Sequence, residues 1–236
     1  MSVQLSIVVP VFNEEEILMR NVEEVAAHAN RIVGEGNWQF ILVENGSRDR
    51  TPEIITNEII PHWKNSKLVT LRAPNYGEAL RAGLNACTAP YAHIINIEQW
   101  DMIFLEWAWQ MKEKYALILG SKRADPTINF QSAYRKFLSW GLNALLQLLF
   151  DYVAADTHGI KLLDMQQMRS VLARTVLGRG QFDTEFTLRT MRAGLWVAEA
   201  PILYREQRPP RNFMIKKIIQ NVVDILQLRK SMRPVA

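Results

Sequence analysis

Two clusters of polar residues near the start of the chain follow apolar runs, and their side chains suit contact with a polar ligand. Asn13 and Glu14 follow the apolar run 6–11, and a second cluster that begins at Glu44 follows the run 41–43. An apolar run that ends in polar turn residues and then enters a helix-like segment is typical of a parallel strand whose carboxyl end opens into a crevice. We predict that both clusters lie at one edge of a sheet, where the nucleotide sites of open α/β sheets are found.

A set of basic residues is suited to binding phosphate. Its members follow a predicted strand, begin a predicted helix or lie in a linker: Lys122, Arg123, Arg135, Arg205, Arg208 and Arg211. Arginine suits phosphate because its planar guanidinium group donates to two oxygens at once. A solvated surface charge is the alternative for each residue, and it is weaker for Arg208 and Arg211, which bracket the stiff pair Pro209-Pro210.

The order of these motifs resembles the family 2 glycosyltransferases of the GT-A fold. In the first half, Pro10, the pair Asn13-Glu14 and the turn Glu44-x-Gly46-Ser47-x-Asp49-x-Thr51 carry the resemblance. In the second half, four segments are similar to the polyprenyl-phosphate branch of that family, which includes dolichyl-phosphate mannose synthase: Arg135-x3-Ser139-x3-Asn143, 156–161, 182–185 and 199–202. The resemblance covers nearly the whole chain.

The resemblance implies that a sugar is transferred, with inversion, from a UDP- or GDP-linked donor to a polyprenyl phosphate. It implies donor binding by residues at the strand ends, namely Pro10, Asn13, Glu14, Glu44, Gly46, Ser47, Glu98 and Gln99. It implies acceptor and phosphate binding by Lys122, Arg123, Arg135, Ser139, Arg205, Arg208 and Arg211. The chain departs from the family at Glu44-Asn45, which replaces Asp-Asp, and after Gly77, where the family's Lys is missing.

The family holds its donor metal with Asp-x-Asp, and this chain has Glu98-Gln99-Trp100-Asp101 at the matching place. Trp100 stands at the second Asp and cannot ligate a hard cation, which prefers oxygen ligands. One hypothesis is a rearranged Mg²⁺ or Mn²⁺ site that uses Glu98 and Asp101. The other hypothesis is that the metal site has been lost. In that case we expect Trp100 to stack on the sugar or base.

Asp101, Arg135 and Arg208 are the catalytic candidates. A lipid phosphate is already an anion and needs no strong base, so the protein must hold two phosphates together and neutralise the leaving diphosphate. A hydroxyl acceptor would instead require a carboxylate base, for which Asp101 and Asp156 are candidates. A structural carboxylate that stabilises the turn at His158 is the alternative for Asp156.

The elements that must position these residues alternate between strand and helix. We predict strands at 5–12, 38–44, 67–72, 91–97, 116–121 and 197–204, the last at a sheet edge because it contains Pro201. We predict helices at 14–33 with Asn13 as N-cap, and at 51–64, 77–87, 130–150, 181–193 and 213–230. This alternation predicts an α/β fold with a mostly parallel, Rossmann-like sheet flanked by helices. We expect a GT-A domain over 1–212, followed by a C-terminal amphipathic helix and tail over 213–236.

Composition limits the location and the partners of the chain. The single Cys argues against a disulfide framework and is compatible with a reducing compartment. A net charge of +4 suits an anionic substrate or membrane surface better than nucleic acid, because no recognisable nucleic-acid module is present. We expect no signal peptide and no spanning helix, which needs about 18 apolar residues. The basic C-terminal helix favours a cytoplasmic protein bound peripherally to the membrane, and a helix docked on the sheet is the alternative.

Two other functions compete with lipid-phosphate glycosylation. One is sugar transfer to a saccharide or another hydroxyl acceptor. The other is a non-catalytic homologue that serves as a binding or scaffold subunit, which the changes at Glu44-Asn45 and Trp100 favour.

Overall fold

The computed structural model describes residues 2–121, 147, 149–150, 159–202, 223 and 225–232 of the 236-residue chain. Eight sequence candidates lie outside the described residues: Lys122, Arg123, Arg135, Ser139, Asp156, Arg205, Arg208 and Arg211. Most of the predicted helices 130–150 and 213–230 also lies outside them. The described residues include all of the predicted donor-binding residues and the sheet that supports them.

Seven strands form one sheet. They are β1 (Leu5–Val11), β2 (Trp38–Glu44), β3 (Lys67–Thr70), β4 (Tyr91–Ile94), β5 (Leu117–Ser121), β6 (Lys161–Asp164) and β7 (Val197–Pro201). Their order across the sheet is β3-β2-β1-β4-β6-β5-β7. Only β6 runs antiparallel to its neighbours β4 and β5, and the other pairs are parallel. The predicted mostly parallel α/β sheet is confirmed, with β7 at an edge as its Pro201 indicated.

Helices cover both faces of the sheet. They are α1 (Leu18–Val33), α2 (Thr51–Ile54), α3 (Ile60–His62), α4 (Tyr76–Ala86), α5 (Met102–Met111), α6 (Met165–Arg174) and α7 (Phe182–Arg192). A π-helical turn, Ile55–Ile59, joins α2 to α3, and a 3-10 turn, Arg179–Gln181, precedes α7. Every residue of β1 and β2 is buried. Burial on both faces explains why these strands appear as continuous apolar runs in the sequence.

The two faces of the sheet carry separate clusters of apolar side chains. Ile7 and Val9 point to the face covered by α1 and α5, whereas Val8 points to the face covered by α4, α6 and α7. Helix α4 lies very close to the second face, because a Cβ added at Gly83 would approach Val8 Cγ1 to 2.5 Å. Gly83 therefore serves close packing of helix on sheet.

Helix α1 begins later than the sequence pattern predicted. It starts at Leu18, and its N-cap position is Ile17, which makes no side-chain capping bond. The prediction that Asn13 is the N-cap is wrong. Asn13 instead adopts a left-handed conformation, with φ of 55°, in the turn after β1. Glu14, Glu15 and Glu16 consequently lie in the connection before the helix and do not form its first turn.

The end of one strand and two whole elements also differ from the prediction. Strand β4 ends at Ile94, three residues before the predicted end, and the chain then forms a loop that leads to α5. Neither α5 nor β6 was predicted. Strand β6 has only four residues and α5 is apolar on most of its surface, so neither has the clear alternation or amphipathic period that marks an element in a sequence.

The described part of the C-terminal segment docks on the domain. Residues 225–231 are helical, and Ile225, Leu228 and Met232 are buried in the apolar cluster that contains Phe186. Arg189 donates to Ser231 O at 2.8 Å. Within the described residues, no helix is both long and apolar enough to cross a bilayer.

Candidate functional site

The turns after β1 and β2 are joined by hydrogen bonds at the carboxyl edge of the sheet. Asn13 N donates to Ser47 Oγ at 3.0 Å, and Arg48 N donates to Asn13 Oδ1 at 2.8 Å. Glu14 N donates to Thr51 Oγ1 at 2.9 Å. The predicted neighbourhood of the two polar clusters is therefore confirmed, and short polar side chains hold it by accepting from the backbone of the other turn.

Glu44 lies at the base of this arrangement. Its side chain is buried, with 4% of the residue exposed, and Oε1 accepts a hydrogen bond from Ser47 N. Gly46 has a φ of 78°, and an added Cβ there would lie 3.2 Å from the backbone of Ala73. A glycine is required at this position both by its conformation and by the close approach of the neighbouring segment.

Asn45 connects the turn after β2 to the helix α4. Its Oδ1 accepts from Asn75 N at 2.8 Å, and its own N–H donates to Val11 O at 2.9 Å. Asn75 in turn caps α4, because its Oδ1 accepts from Glu78 N at 3.2 Å. The residue that replaces the family's second Asp thus has a structural role that needs one acceptor oxygen.

Pro10 is buried in β1 opposite Val43 and contributes to the shape of the strand end. Val8 O faces β4, because it accepts from Ile95 N at 3.1 Å. The N atom of Pro10 faces the same side, beyond the end of β4 at Ile94. The missing N–H of the proline therefore breaks no bond of the sheet.

A cleft of about 210 Å³ opens beside these turns and is lined by five acidic or amide residues and one apolar residue: Asn13, Glu14, Glu15, Glu16, Asp49 and Ile17. Burial alone would raise the pKa of Asp49, but hydrogen bonds from Thr51 and from Glu15 N outweigh burial and lower it. An ionised carboxylate accepts hydrogen bonds and donates none, so the cleft suits ligand groups that donate, such as the hydroxyl groups of a ribose and the N–H groups of a base. A larger cleft of about 310 Å³ lies beside Trp38, at the opposite edge of the sheet.

The loop between β4 and α5 contains the residues predicted to hold metal. Asp101 Oδ1 accepts from Phe104 N at 3.0 Å and caps α5. Trp100 packs against the ring of His28 on α1, with 5.7 Å between ring centroids. Gln99 N donates to Asn96 O at 2.8 Å, which makes the loop a tight turn. The indole of Trp100 thus lies against α1, and its stacking on a sugar or base stays a hypothesis.

These residues do not assemble a complete metal site. Within the described residues there is no group of three or more His, Cys, Asp or Glu side chains placed to hold an ion. A hard cation prefers six or more oxygen ligands, and here one oxygen of Asp101 is engaged as a helix cap. Glu98 and Asp101 are the two carboxylate residues of this loop.

Sequence reasoning did not assign a role to a buried ion pair in the second half of the sheet. Lys161 Nζ lies 2.7 Å from Asp183 Oδ1, and both side chains are 1% exposed. Both residues fall in segments that carried the family resemblance, 156–161 and 182–185. Their separation of 22 residues gives no local signal that they meet.

His93 is a second buried titratable group near this pair. It is 2% exposed, and its Nδ1 lies 3.0 Å from Lys161 O, to which it donates as the neutral ring. Burial lowers the pKa of His93 to about 4, although the bond to Lys161 O and the charge of Asp101 act in the opposite direction. His93 is therefore neutral at physiological pH and fixes β4 against β6.

Comparison with known proteins identifies the first half of the chain. Residues 6–96, which run from β1 past β4 and include the joined turns, match the model of glycosyl transferase family 2. The match confirms the resemblance that the motifs indicated, and it ends two residues before Glu98.

Curated relatives extend the similarity over nearly the whole chain. A dolichyl-phosphate beta-glucosyltransferase of Trichomonas vaginalis is 25% identical over 96% of this chain and 71% of its own length. An undecaprenyl-phosphate 4-deoxy-4-formamido-L-arabinose transferase of Pectobacterium atrosepticum is 41% identical, over 61% of this chain and 43% of its own length. The predicted similarity to the polyprenyl-phosphate branch of family 2 is confirmed.

Solved structures show the same fold. Glucosyl-3-phosphoglycerate synthase from Mycobacterium tuberculosis, in complex with UDP, superimposes with a TM-score of 0.66, covering 96% of this chain and 80% of that one at 18% identity. Another structure of that protein contains Mn²⁺, UDP and glucosyl-3-phosphoglycerate and superimposes with a TM-score of 0.61. The sheet is thus of the GT-A type, as predicted.

Proposed function

We propose that this chain transfers a sugar from a nucleotide-sugar donor to a polyprenyl phosphate, with inversion at the anomeric carbon. The observation that carries the proposal is the joined pair of turns at Asn13 and Ser47, which forms a crevice at the carboxyl edge of a family 2 sheet. Relatives named as dolichyl-phosphate and undecaprenyl-phosphate transferases support the acceptor class.

A UDP-linked hexose is the donor that we propose first. The solved structures with this fold are complexes with UDP and with UDP-glucose. Glu44, Asn13 and Glu14 would contact the ribose or base, because their carboxylate and amide oxygens accept from hydroxyl and N–H groups. Gly46 and Ser47 shape the turn that brings these groups together, and GDP-linked donors are the alternative that the test must include.

The proposed reaction needs little acid–base chemistry. An oxygen of the lipid phosphate attacks the anomeric carbon from the face opposite the donor diphosphate. The new C–O bond forms as the bond to the diphosphate breaks, and the electron pair leaves with the nucleoside diphosphate. The nucleophile carries no proton that must be removed, so positioning of the two phosphates and neutralisation of the leaving group are the main demands.

The basic residues outside the described part of the chain are our candidates for these demands. We assign acceptor and diphosphate binding to Lys122, Arg123, Arg135, Ser139, Arg205, Arg208 and Arg211. Arg208→Ala should lower the transfer rate by a factor of about 100, the loss expected when one charge-stabilising group is removed, and should leave the fold intact. A wild-type rate in that variant would contradict the role of Arg208.

A divalent metal is an open variable in this proposal, because Glu98 and Asp101 do not form a complete site. We attribute no step to it. If Mn²⁺ or Mg²⁺ binds together with the donor, Glu98→Gln should weaken the stimulation by metal and leave metal-free donor binding unchanged. A lipid acceptor also places the reaction at a membrane surface, and we propose peripheral binding at the cytoplasmic face through the basic residues after β7.

The test is thermal unfolding with UDP-, GDP- and dTDP-sugars, with and without metal, followed by a transfer assay with undecaprenyl phosphate in detergent. A donor at one hundred times its dissociation constant should add about 2.7 kcal/mol to the free energy of unfolding. Product formed only with the lipid phosphate supports the proposal. Product with a sugar acceptor and no lipid would favour a hydroxyl acceptor instead.

The absence of any donor-induced shift would favour a non-catalytic homologue. Two observations favour this alternative. Asp101 caps α5, and Trp100, at the place of the family's second Asp, packs on His28.

A further inference from the structure

Two full charges are buried where the proposed donor site does not use them. Lys161 begins β6, Asp183 lies in the first turn of α7, and their side chains are each 1% exposed. Removing two charges from water costs several kcal/mol per ion, and replacing such a pair by uncharged residues of similar volume is often neutral or stabilising. Stability alone is therefore a weak explanation for this pair.

Lys161 holds the turn that precedes β6. It pairs in register with Ile94 of β4 and with Leu119 of β5, at the carboxyl edge of both strands. Its Nζ donates to Gly159 O at 3.0 Å. Gly159 has a φ of 126°, and an added Cβ would lie 3.2 Å from Gly120 O, so the turn is packed tightly on the end of β5.

Asp183 connects this turn to the loop after β4. Helix α7 packs on α4, whose first residue is Tyr76. Burial, and then the charge of Asp183, raises the pKa of Tyr76. The Tyr76 hydroxyl donates to Asn96 Oδ1 at 3.3 Å. Asn96 forms a bridge with Gln99, so these contacts lead from Gly159 to the loop that carries Glu98.

The carboxylate of Asp183 is held mainly by charge. Neither of its oxygens has a well-aligned hydrogen bond within the described residues, although Oδ1 is in direct contact with Lys161 Nζ. A carboxylate in this state depends on the lysine, and its position changes if the lysine is lost. The pair therefore acts as one unit that fixes β6 and α7 relative to each other.

We propose that Lys161 and Asp183 are positioning residues, whose buried ion pair keeps the Gly159 turn in register with the loop 95–101 across the carboxyl edge of the sheet. The proposal rests on the transfer reaction proposed above, in which groups on different loops must bring two phosphates together. An error of about 1 Å in such an arrangement lowers the rate about 100-fold. The pair itself touches no reacting atom.

A matched pair of double variants tests this role. Lys161→Met/Asp183→Asn removes both charges and nearly preserves the side-chain volumes. Glu185→Gln/Arg189→Met does the same for the ion pair on α7 whose separation is also 2.7 Å and whose carboxylate is also buried. The first variant should unfold at a temperature close to that of the wild type, because it loses a complete pair. The control also loses the bond of Arg189 to Ser231 O, so it should be the less stable of the two. If the first double variant does not fold, Lys161→Gln/Asp183→Asn replaces it, because it also removes both charges and keeps a hydrogen-bond donor at residue 161.

The readouts separate positioning from simple loss of structure. We expect kcat of the Lys161/Asp183 variant to fall about 100-fold, while its dissociation constant for UDP matches that of the control and its unfolding temperature is no lower. Hydrogen exchange should increase in peptides 95–101 and 156–160 of this variant and in neither peptide of the control. A kcat equal to that of the control, or unchanged exchange in these peptides, overturns the proposal.

Hydrogen exchange also distinguishes the failure of this proposal from failure of the proposed function. If the wild-type chain transfers no sugar to polyprenyl phosphate, the proposed function is wrong, and exchange in peptides 95–101 and 156–160 alone decides whether the pair positions the two segments. Increased exchange in both peptides then supports the positioning role, and unchanged exchange rejects it.

Discussion

The joined turns at Asn13 and Ser47 and the junction of Lys161 with Asp183 hold two parts of the same sheet edge by opposite means. The first uses neutral hydrogen bonds from backbone N–H groups to short side chains, in a region that is partly exposed. The second uses a fully buried ion pair. Neutral bonds at an exposed edge exchange readily with ligand and water, whereas a buried pair cannot lose one partner without a large cost.

This difference indicates which part of the sheet edge can change its hydrogen bonds when a ligand binds and which part keeps its geometry. The joined turns at Asn13 and Ser47 border an open cleft, so a ligand can reach their polar groups. The β6–α7 junction is closed to solvent, so its geometry is set when the chain folds. The predictions below test this contrast, beginning with the largest effect.

Loss of one partner of the buried pair should be the most severe change. Lys161→Met leaves Asp183 as an uncompensated buried carboxylate and should lower the free energy of unfolding by about 3–5 kcal/mol. Chemical denaturation of this variant and of Lys161→Met/Asp183→Asn gives the comparison. If the single variant is as stable as the double one, the junction is not held by charge and the contrast between the two regions fails.

The same junction should be sensitive to acid through His93. The unfolded chain binds a proton on this histidine near pH 6.5, whereas the folded chain does so only near pH 4, because burial lowers the pKa of His93 to about 4. Between these values the unfolded state holds more protons, so the free energy of unfolding should fall by about 3 kcal/mol as the pH falls from 6.5 to 4.

Denaturation curves across this pH range measure the effect of His93. His93→Gln should lose most of the slope, because it removes the titrating ring. An unchanged slope in His93→Gln would assign the acid sensitivity to other groups.

The packing of α4 on β1 and β2, behind the joined turns, should tolerate one extra methyl group poorly. Gly83→Ala places a Cβ 2.5 Å from Val8 Cγ1 and 2.9 Å from Val43 Cγ2, so α4 must move away from β1 and β2. Such overpacking costs about 1–3 kcal/mol. The matched control is Gly180→Ala, where an added Cβ meets no described atom within 4 Å. Equal unfolding temperatures for the two variants would mean that α4 shifts without cost.

Substitution of Asn13 in the joined turns should cause the smallest loss of stability and a clear loss of UDP binding. Asn13→Ala removes the acceptor for Arg48 N and keeps a φ of 55°, which alanine disfavours, so we expect a loss of about 1–2 kcal/mol. Asn13→Gly loses the same hydrogen bond without the backbone strain. Titration with UDP should show weaker binding for both variants, and wild-type affinity in both would remove Asn13 from the donor site.

The donor half was predictable from sequence because its signals are local. The limits of β2 were predicted correctly, and the polar turns after β1 and β2 follow directly from apolar runs, as in a parallel sheet. The turn before α1 was misread because Asn13 and the three glutamates match the pattern of a helix N-terminus. Tertiary bonds from Asn13 to the turn after β2 override that local preference.

The other half was less predictable because its decisive contacts join distant residues. The meeting of Lys161 with Asp183 depends on the insertion of a four-residue antiparallel strand between β4 and β5. A strand this short has no clear periodicity, and a buried lysine is uncommon. The metal hypothesis had a local basis in Glu98 and Asp101, but the capping role of Asp101 becomes visible only once α5 is known.

The direction of β6 has a consequence for how the protein can diversify. Because β6 is antiparallel to β5, the chain leaves the sheet after Ser121 and re-enters it at Lys161 at the same edge, and it leaves β7 after Pro201 at that edge too. The segments between these fixed points can therefore be lengthened, shortened or exchanged without changing a single strand pairing. A change in the length of these segments costs loop-closure entropy that grows only slowly with the number of residues, so new specificity can arise there while the strand order stays the same.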